Sequence, residues 1–579
     1  MHSPSISSDS ETPTSNSSRE KPQNGRAGLR HWRHDLLGGL VVSLVSLPLS
    51  SGIAIASGAP PIYGIISSII AGLIFPFVGG SYVTISGPAA GLAPALLATM
   101  AALGGAGDAD NIGAGYPLLL VVIFSVGVAQ IAMAKLKLAR FAAIFPASVV
   151  EGMLGAIGVL ILIKALPLFF GYLEPVHAHG FGEYLQEIPT WVSGASVPAV
   201  VTGASTLVVM LLVISRLGQR FRVFQIVPPH MFGVVVGVGM ATAFGLGGEF
   251  RIQVPSNPLS GIQLPDFSGM FAHPELWKAA LIGAVTLTLI DGVESLATAQ
   301  AIDRIDPYRR KSQPNRLLAA MGLSNLLSSL VGGLTVIPGG VKSKTCIEAG
   351  GRTLWANFAN ALFLLGFLFV APALVSLIPK ATLGGILIYT GWKMMHPSIA
   401  RHLAHIGREQ IFLYGLTIVV TLFTDLLVGV LVGTAAKLVI LTLYARPAGV
   451  HRAADDGVLG TIASLFRDPV TQVEGEGDTR RYHVTGPLVC FNAYKLLERL
   501  DTQQTGLAGE DVEDLTIVIA PGVKVIDHTA IEGVFLAADV STECPLRVEG
   551  LEPMLSLGYH RSAVRVRPRE AIPSGIGLD

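Results

Sequence analysis

A chain of 579 residues with 51% hydrophobic and only 14% charged residues departs from soluble proteins, where roughly a quarter carry charge. Its 40 basic and 40 acidic residues cancel, leaving no electrostatic footprint for nucleic acid. Cys346, Cys490 and Cys544 lack disulfide-framework or zinc spacing, and no nucleophile–base pair, metal cluster or phosphate-cradling glycine loop argues for an enzyme or a cofactor.

Residues 1–30 are rich in Ser, Pro and Asn without an apolar core, which reads as a disordered tail and not a signal peptide. Over 31–446, apolar runs of about 20 residues recur, each long enough to cross a hydrocarbon core of about 30 Å as a helix. The expected all-α membrane domain has fourteen spans: 35–57, 61–79, 82–102, 116–134, 141–163, 191–215, 226–247, 274–302, 314–333, 335–349, 354–377, 381–395, 409–425 and 427–445. Loop charge supports this count. With a cytoplasmic N-terminus, the inner loops carry Lys135, Lys137, Arg140, Arg216, Arg220, Arg222, Arg304, Arg309, Arg310, Lys311, Arg316, Lys393, Arg401 and Arg408, while the outer ones hold only Lys164, Arg251 and Lys380. Residues 447–478 read as a linker and 571–579 as a tail. Between them, 479–570 has the composition of a small cytoplasmic α/β domain, with strands at 481–488 and 515–519 and a helix at 493–500. An even number of spans places both termini on the cytoplasmic side of the cell membrane.

Two spans are poor continuous helices. In the first half, the β-prone 81–85 leads into Ser86-Gly87-Pro88-Ala89-Ala90-Gly91. In the second, 333–337 leads into Pro338-Gly339-Gly340-Val341-Lys342-Ser343. Each reads as a short strand, a break and a helix start, with Ser86 as a cap and Pro88 in a first turn. Paired interruptions in matching halves point to a transporter site, and half-helix N-termini favour an anion. Lys342, expensive inside a membrane, strengthens that reading. Lys344 and Glu348 are spaced for an ion pair.

In the eighth span Asp291, Glu294, Ser295 and Thr298 share one helical face. Glu294 and Thr298 suit oxygen ligation of sodium, with Asp291 as a further candidate; alternatively Glu294 carries a proton, or pairs with Lys342 or Lys344 to hold the bundle. His177 and His179 lack further ligands in a metal pattern.

From residue 30 onward the chain resembles the sulfate permease (SulP) anion transporters. The resemblance rests on Pro48 to Ala54 and Ser57 to Gly64, Gly80-Ser81, Ser86 to Ala89, Glu294-Ser295, Asn315, Gly322 to Asn325 and Gly350 to Thr353. Gly486-Pro487-Leu488, Phe491-Asn492-Ala493 and Asp527-His528-Thr529 are similar to a STAS domain. The resemblance implies seven-plus-seven inverted repeats, a core of spans 1–4 and 8–11, and a gate of spans 5–7 and 12–14. It implies a homodimer in the lipid bilayer and an anion held between the half-helices. Expected contacts are Ser50, Ser51, Ser86, Gly87, Pro88, Ala89, Gly339, Gly340, Val341, Lys342 and Ser343, with Glu294 coupling a sodium ion or proton. Val341 replaces a serine of the family motif, and Leu49 and Ile53 replace polar and aromatic positions, which slightly favours bicarbonate over sulfate. Asp527 and Thr529 align with a regulatory loop, through which a cytosolic regulator would act. The rival expectations are an anion exchanger, a dicarboxylate or nucleobase carrier of this fold, and a non-transporting scaffold or sensor.

Overall fold

The structure, a computed structural model, describes residues 21–567 except 89, 106–111, 140–144, 174–180, 217, 222–227, 254–260, 371, 425, 446–457, 477–478, 505–513 and 541–545. Ala89, Arg140, Arg222, His177, His179 and Cys544 therefore lie outside the described residues.

In the first half, α1 (Trp32–Ala56) and α2 (Pro61–Val78) lead into strand β1 (Ser86–Pro88), followed by α3 (Ala93–Ala102) and α4 (Tyr116–Lys135). Next come α5 (Ala147–Phe170), α6 (Phe181–Ser193), α7 (Val197–Ile214) and α8 (Pro229–Ala243). The second half gives α9 (Trp277–Ile305), α10 (Pro314–Ser329), β2 (Val336–Pro338), α11 (Gly340–Glu348) and α12 (Trp355–Val370). It ends with α13 (Lys380–Met394), α14 (Pro397–Ile406), α15 (Arg408–Phe423) and α16 (Leu426–Ala445). Among the described residues, seven helices are long and apolar enough to cross a membrane, and three shorter helices are also apolar. Val208, Leu211, Val235, Leu431 and Val439 are exposed on such helices, as lipid-facing side chains should be.

Helices α1–α4 pack with α9–α12, whereas α5, α7 and α8 pack with α13, α15 and α16. Small residues permit this closeness: a Cβ on Gly64 would run into the Ser50 carbonyl, and one on Gly72 into that of Asn357. Gly80 has φ +103°, and a Cβ there would meet the backbone of Arg316 and Leu317. Only glycine serves at that corner.

The strands lie slightly later than expected in the first half. Residues 81–83 are bends, 84–85 are irregular, β1 is 86–88, and α3 begins at Ala93 with Pro94 in its first turn. Pro88 thus ends a strand instead of starting a helix. β1 and β2 pair antiparallel, with Ser86 opposite Pro338, Gly87 opposite Ile337 and Pro88 opposite Val336.

Part of the expected N-terminal tail is ordered. Residues Gly25–His31 form a 3₁₀ helix. Before it, Asn24 donates to the Ser81 carbonyl and accepts from the Leu354 N–H, Arg310 donates to the Pro22 carbonyl, and Trp355 donates to that of Gly25. Alongside, Asp35 accepts from the N–H groups of Arg352 and Thr353 and from the Thr353 hydroxyl.

Within the expected linker lie α17 (Val458–Phe466) and β3 (Val470–Glu476), and β3 pairs with β4 (Thr479–Val484). The C-terminal domain therefore starts before 479, because β4 needs this partner on its outer edge. After α18 (Ala493–Gln504), β5 (Asp514–Ile519), β6 (Val525–Ile526), α19 (His528–Val540) and β7 (Leu546–Glu549), the main sheet has the order β3-β4-β5-β7. Leu496, Leu500, Ile517, Ile531 and Val534 fill its core.

Candidate functional site

Gly340 opens α11 with its backbone exposed and only the Thr298 methyl close to where a Cβ would stand, at 3.7 Å. Two residues on, Lys342 turns inward and is 2% exposed. Its Nζ donates to Ser50 Oγ on α1 at 2.8 Å and to Ser68 Oγ on α2 at 3.1 Å, and the two hydroxyls are themselves 2.8 Å apart. A Cβ on Gly87 would collide with Lys342 Nζ and Ser68 Oγ. The ammonium therefore lies directly against β1, where the crossing strands bring the two halves together.

The other flank of the same loop meets Glu294. The Gly91 N–H points to the Glu294 carboxylate, and a Cβ on Gly91 would overlap it. Glu294 is buried, and its Oε2 has no hydrogen-bond partner among the described residues. No ion pair joins it to Lys342 or Lys344 among those residues. Lys344 instead reaches Glu348 at 3.7 Å on an exposed face, an arrangement worth little.

The other expected residues fall into distinct places. Ser343 Oγ accepts from the Ile85 N–H and donates to the Gly339 carbonyl, so it bridges the strand ends. Ser86 is fully buried in β1 and its hydroxyl caps nothing among the described residues. Pro88 is buried, while Gly339 and Val341 are half-buried beside the opening. Ser51 turns back to the Leu47 carbonyl at 2.9 Å, a bond within its own helix. Asp291 is fully buried, not near a surface; it accepts from Ser295 at 3.2 Å and from Asn325 at 3.0 Å. Thr298 is half-buried next to α11, with its methyl toward Gly340. Leu49 and Ile53 pack on Met210 and Ile386, with Ala90, Val234 and Tyr389 at the rim, giving an apolar seam between the two helix groups.

Ser68 was not anticipated. Its signal was present: Ser67 and Ser68 are the only hydroxyl pair in an otherwise apolar α2. Asp527 and Thr529 make their contacts elsewhere. Asp527 pairs with Lys437 of α16 at 2.6 Å with both side chains 0% exposed, and Thr529 Oγ accepts from the N–H of Ala147, the first residue of α5.

Gly87→Ala tests the crowding. The colliding atoms are ends of flexible side chains, so they move and the fold survives. Anion flux is expected to fall about tenfold, a loss of ~1.4 kcal/mol, while the purified protein still elutes as a single species.

Three comparisons bear on this arrangement. The model of the sulfate permease family matches residues 32–417. The bicarbonate transporter BicA of Picosynechococcus sp. is 25% identical over 485 residues, covering 81% of each chain. Among solved structures, the transmembrane domain of a cyanobacterial BicA superposes with TM-score 0.60 at 26% identity, over 69% of this chain and 98% of that one. SLC26A9 shares the fold at TM-score 0.62 and 16% identity, over 89% of this chain and 84% of its own.

Proposed function

Because the chain belongs to the sulfate permease family, we propose that it is a secondary transporter carrying a small inorganic anion, bicarbonate ahead of sulfate, together with sodium or a proton. The observation that carries this reading is Lys342, a buried ammonium held by two hydroxyls at the crossing of the broken spans. An intramembrane charge so placed is costly unless it serves an ion.

The anion sits at the Gly339–Val341 opening. There the free N–H groups at the start of α11 and the Lys342 charge act from one side, and β1 closes the other. Glu294 supplies the countercharge: its unpartnered oxygen takes a sodium ion, with Thr298 one turn along, or a proton. Co-binding keeps the site close to neutral, which lowers the cost of carrying it through lipid. The apolar seam of Leu49, Ile53, Met210 and Ile386 offers a surface without hydrogen bonds over which one helix group moves against the other. Alternating access then exposes the site to each side in turn, in a chain of fourteen spans arranged as two inverted repeats. A homodimer with cytoplasmic termini completes the proposal. Apolar residues at 49 and 53, and the likeness to BicA, favour bicarbonate.

The test is uptake of labelled bicarbonate and of labelled sulfate into proteoliposomes under a sodium gradient, a proton gradient or neither. Gradient-driven bicarbonate uptake that is lost in Glu294→Gln is the expected result. Uptake that ignores both gradients and persists in Glu294→Gln would sink symport and leave exchange. No flux of any tested anion would favour the scaffold reading.

A further inference from the structure

The crossing strands are only three residues long, too short to hold a register by their own ladder. Their polar groups show what holds them. The Gly339 N–H donates to the Ile85 carbonyl at 2.8 Å, so residues 85 and 339 turn their backbone groups inward, with the Ile85 N–H taken by Ser343 Oγ. Antiparallel pairs alternate, which makes Gly87 and Ile337 the next such pair. Ser86, Pro88, Val336 and Pro338 then point their backbone groups outward. The two prolines have no N–H. Just two outward donors remain, those of Ser86 and Val336.

Each of these donors meets an asparagine. Asn357 Oδ1 on α12 accepts from the Ser86 N–H at 3.3 Å, and Asn325 Oδ1 on α10 accepts from the Val336 N–H at 2.6 Å. Both asparagines are 0% exposed. They occupy matching places: each comes from a helix of the same half as α11 and grips the first residue of one strand. Asn325 is itself clamped, its Nδ2 donating to Gln130 Oε1 at 2.8 Å and to Asp291 Oδ2 at 3.0 Å. Asp291, buried on α9, therefore orients Asn325 by accepting from its amide.

We infer that Asn357 and Asn325 are positioning residues for anion binding, which hold the outward N–H of each crossing strand and thereby fix the register that aims both broken spans at one point. The inference rests on the anion-transport reading for its functional half. Its structural half stands separately. A buried N–H left without an acceptor inside a membrane has nowhere else to turn, so losing either asparagine lets its strand shift. Lys342 and Gly87 are in contact across this crossing, and a shift changes the anion's surroundings first.

Asn357→Leu keeps the size of the side chain and removes the acceptor, whereas Asn357→Asp keeps the acceptor. Hydrogen exchange of the full-length protein in detergent reads the Ser86 amide directly, and uptake of labelled bicarbonate and sulfate gives KM and kcat. In Asn357→Leu, exchange at Ser86 is expected to speed up about tenfold and KM to rise about tenfold, with kcat within about twofold. Asn357→Asp restores both toward the parent values, which a role in packing alone does not predict. Asn325→Leu is expected to do the same at Val336. Unchanged exchange at Ser86 in Asn357→Leu overturns the inference whatever happens to flux, as does an Asn357→Asp protein no better than the leucine variant. A parent protein that moves neither anion defeats the transport reading, and the exchange result still decides whether the asparagines hold the strands.

Discussion

Replacing Lys342 with methionine is expected to abolish concentrative anion uptake, lowering kcat/KM by about a hundredfold or more, ~2.7 kcal/mol of lost stabilisation. Methionine fills the space of the lysine stem but leaves Ser50 and Ser68 with only each other as partners. The fold should persist, since removing a buried charge also removes its desolvation cost. Thermal unfolding in detergent is therefore expected to stay level or rise while flux disappears. Lys342→Arg keeps the charge and is the control: flux within roughly tenfold of the parent would show that charge, not shape, carries the effect. Undiminished uptake in Lys342→Met would overturn the placement of the anion.

The second large effect concerns stability. Lys437 and Asp527 form an ion pair from which water is excluded, between the last membrane helix and the loop that opens α19. Breaking one side of such a pair costs about 3–5 kcal/mol, because the remaining charge stays buried. Lys437→Met is thus expected to loosen the C-terminal domain from the membrane helices, seen as faster proteolysis within residues 458–567. Lys437→Met combined with Asp527→Leu should recover most of the loss, since a matched apolar pair leaves no charge stranded. Burial pushes the Asp527 carboxyl up, but the Lys437 charge and hydrogen bond, with His528 and Cys490, outweigh it and hold the group below its ordinary 3.8. Stability from a carboxyl lowered in this way is complete above that ordinary value and fades as pH falls through the lower, folded one. Docking should accordingly weaken in acid.

Much of this was legible from local pattern. Apolar runs of span length marked the membrane helices, and the Gly/Pro breaks at 86–91 and 338–343, with a lysine beside one of them, marked the place where β1 and β2 cross. Three features escaped for physical reasons. Pro88 suits a helix start or a strand end equally, and the pairing of β1 with β2, together with the Gly91 N–H facing Glu294, decides between them. The acceptors of Ser86 and Val336 are side chains on other helices; one of them, Asn357, is 271 residues away, beyond any periodicity. The rule that singled out Lys342 also applied to Lys437, a lone cation in an apolar helix, but its partner sits in another domain. Ser51 shows the converse: its neighbour Ser50 holds Lys342, yet a turn of 100° along the helix sends Ser51 to its own backbone.

The pairing of Ser86 with Pro338 also sets an order of assembly. Membrane chains are inserted as they are made, so β1 enters the bilayer long before β2 exists. Until then its outward and inward backbone groups have no lasting partners, a costly condition in hydrocarbon. The strap at Pro22–Gly25 must wait longer, since it closes on Leu354 and Trp355. The strand crossing therefore closes only once the second half has begun to insert, and a chain stalled after α9 carries an open strand edge. Such a nascent protein is a natural substrate for membrane quality control, and yield in expression should depend on how quickly the second half follows the first.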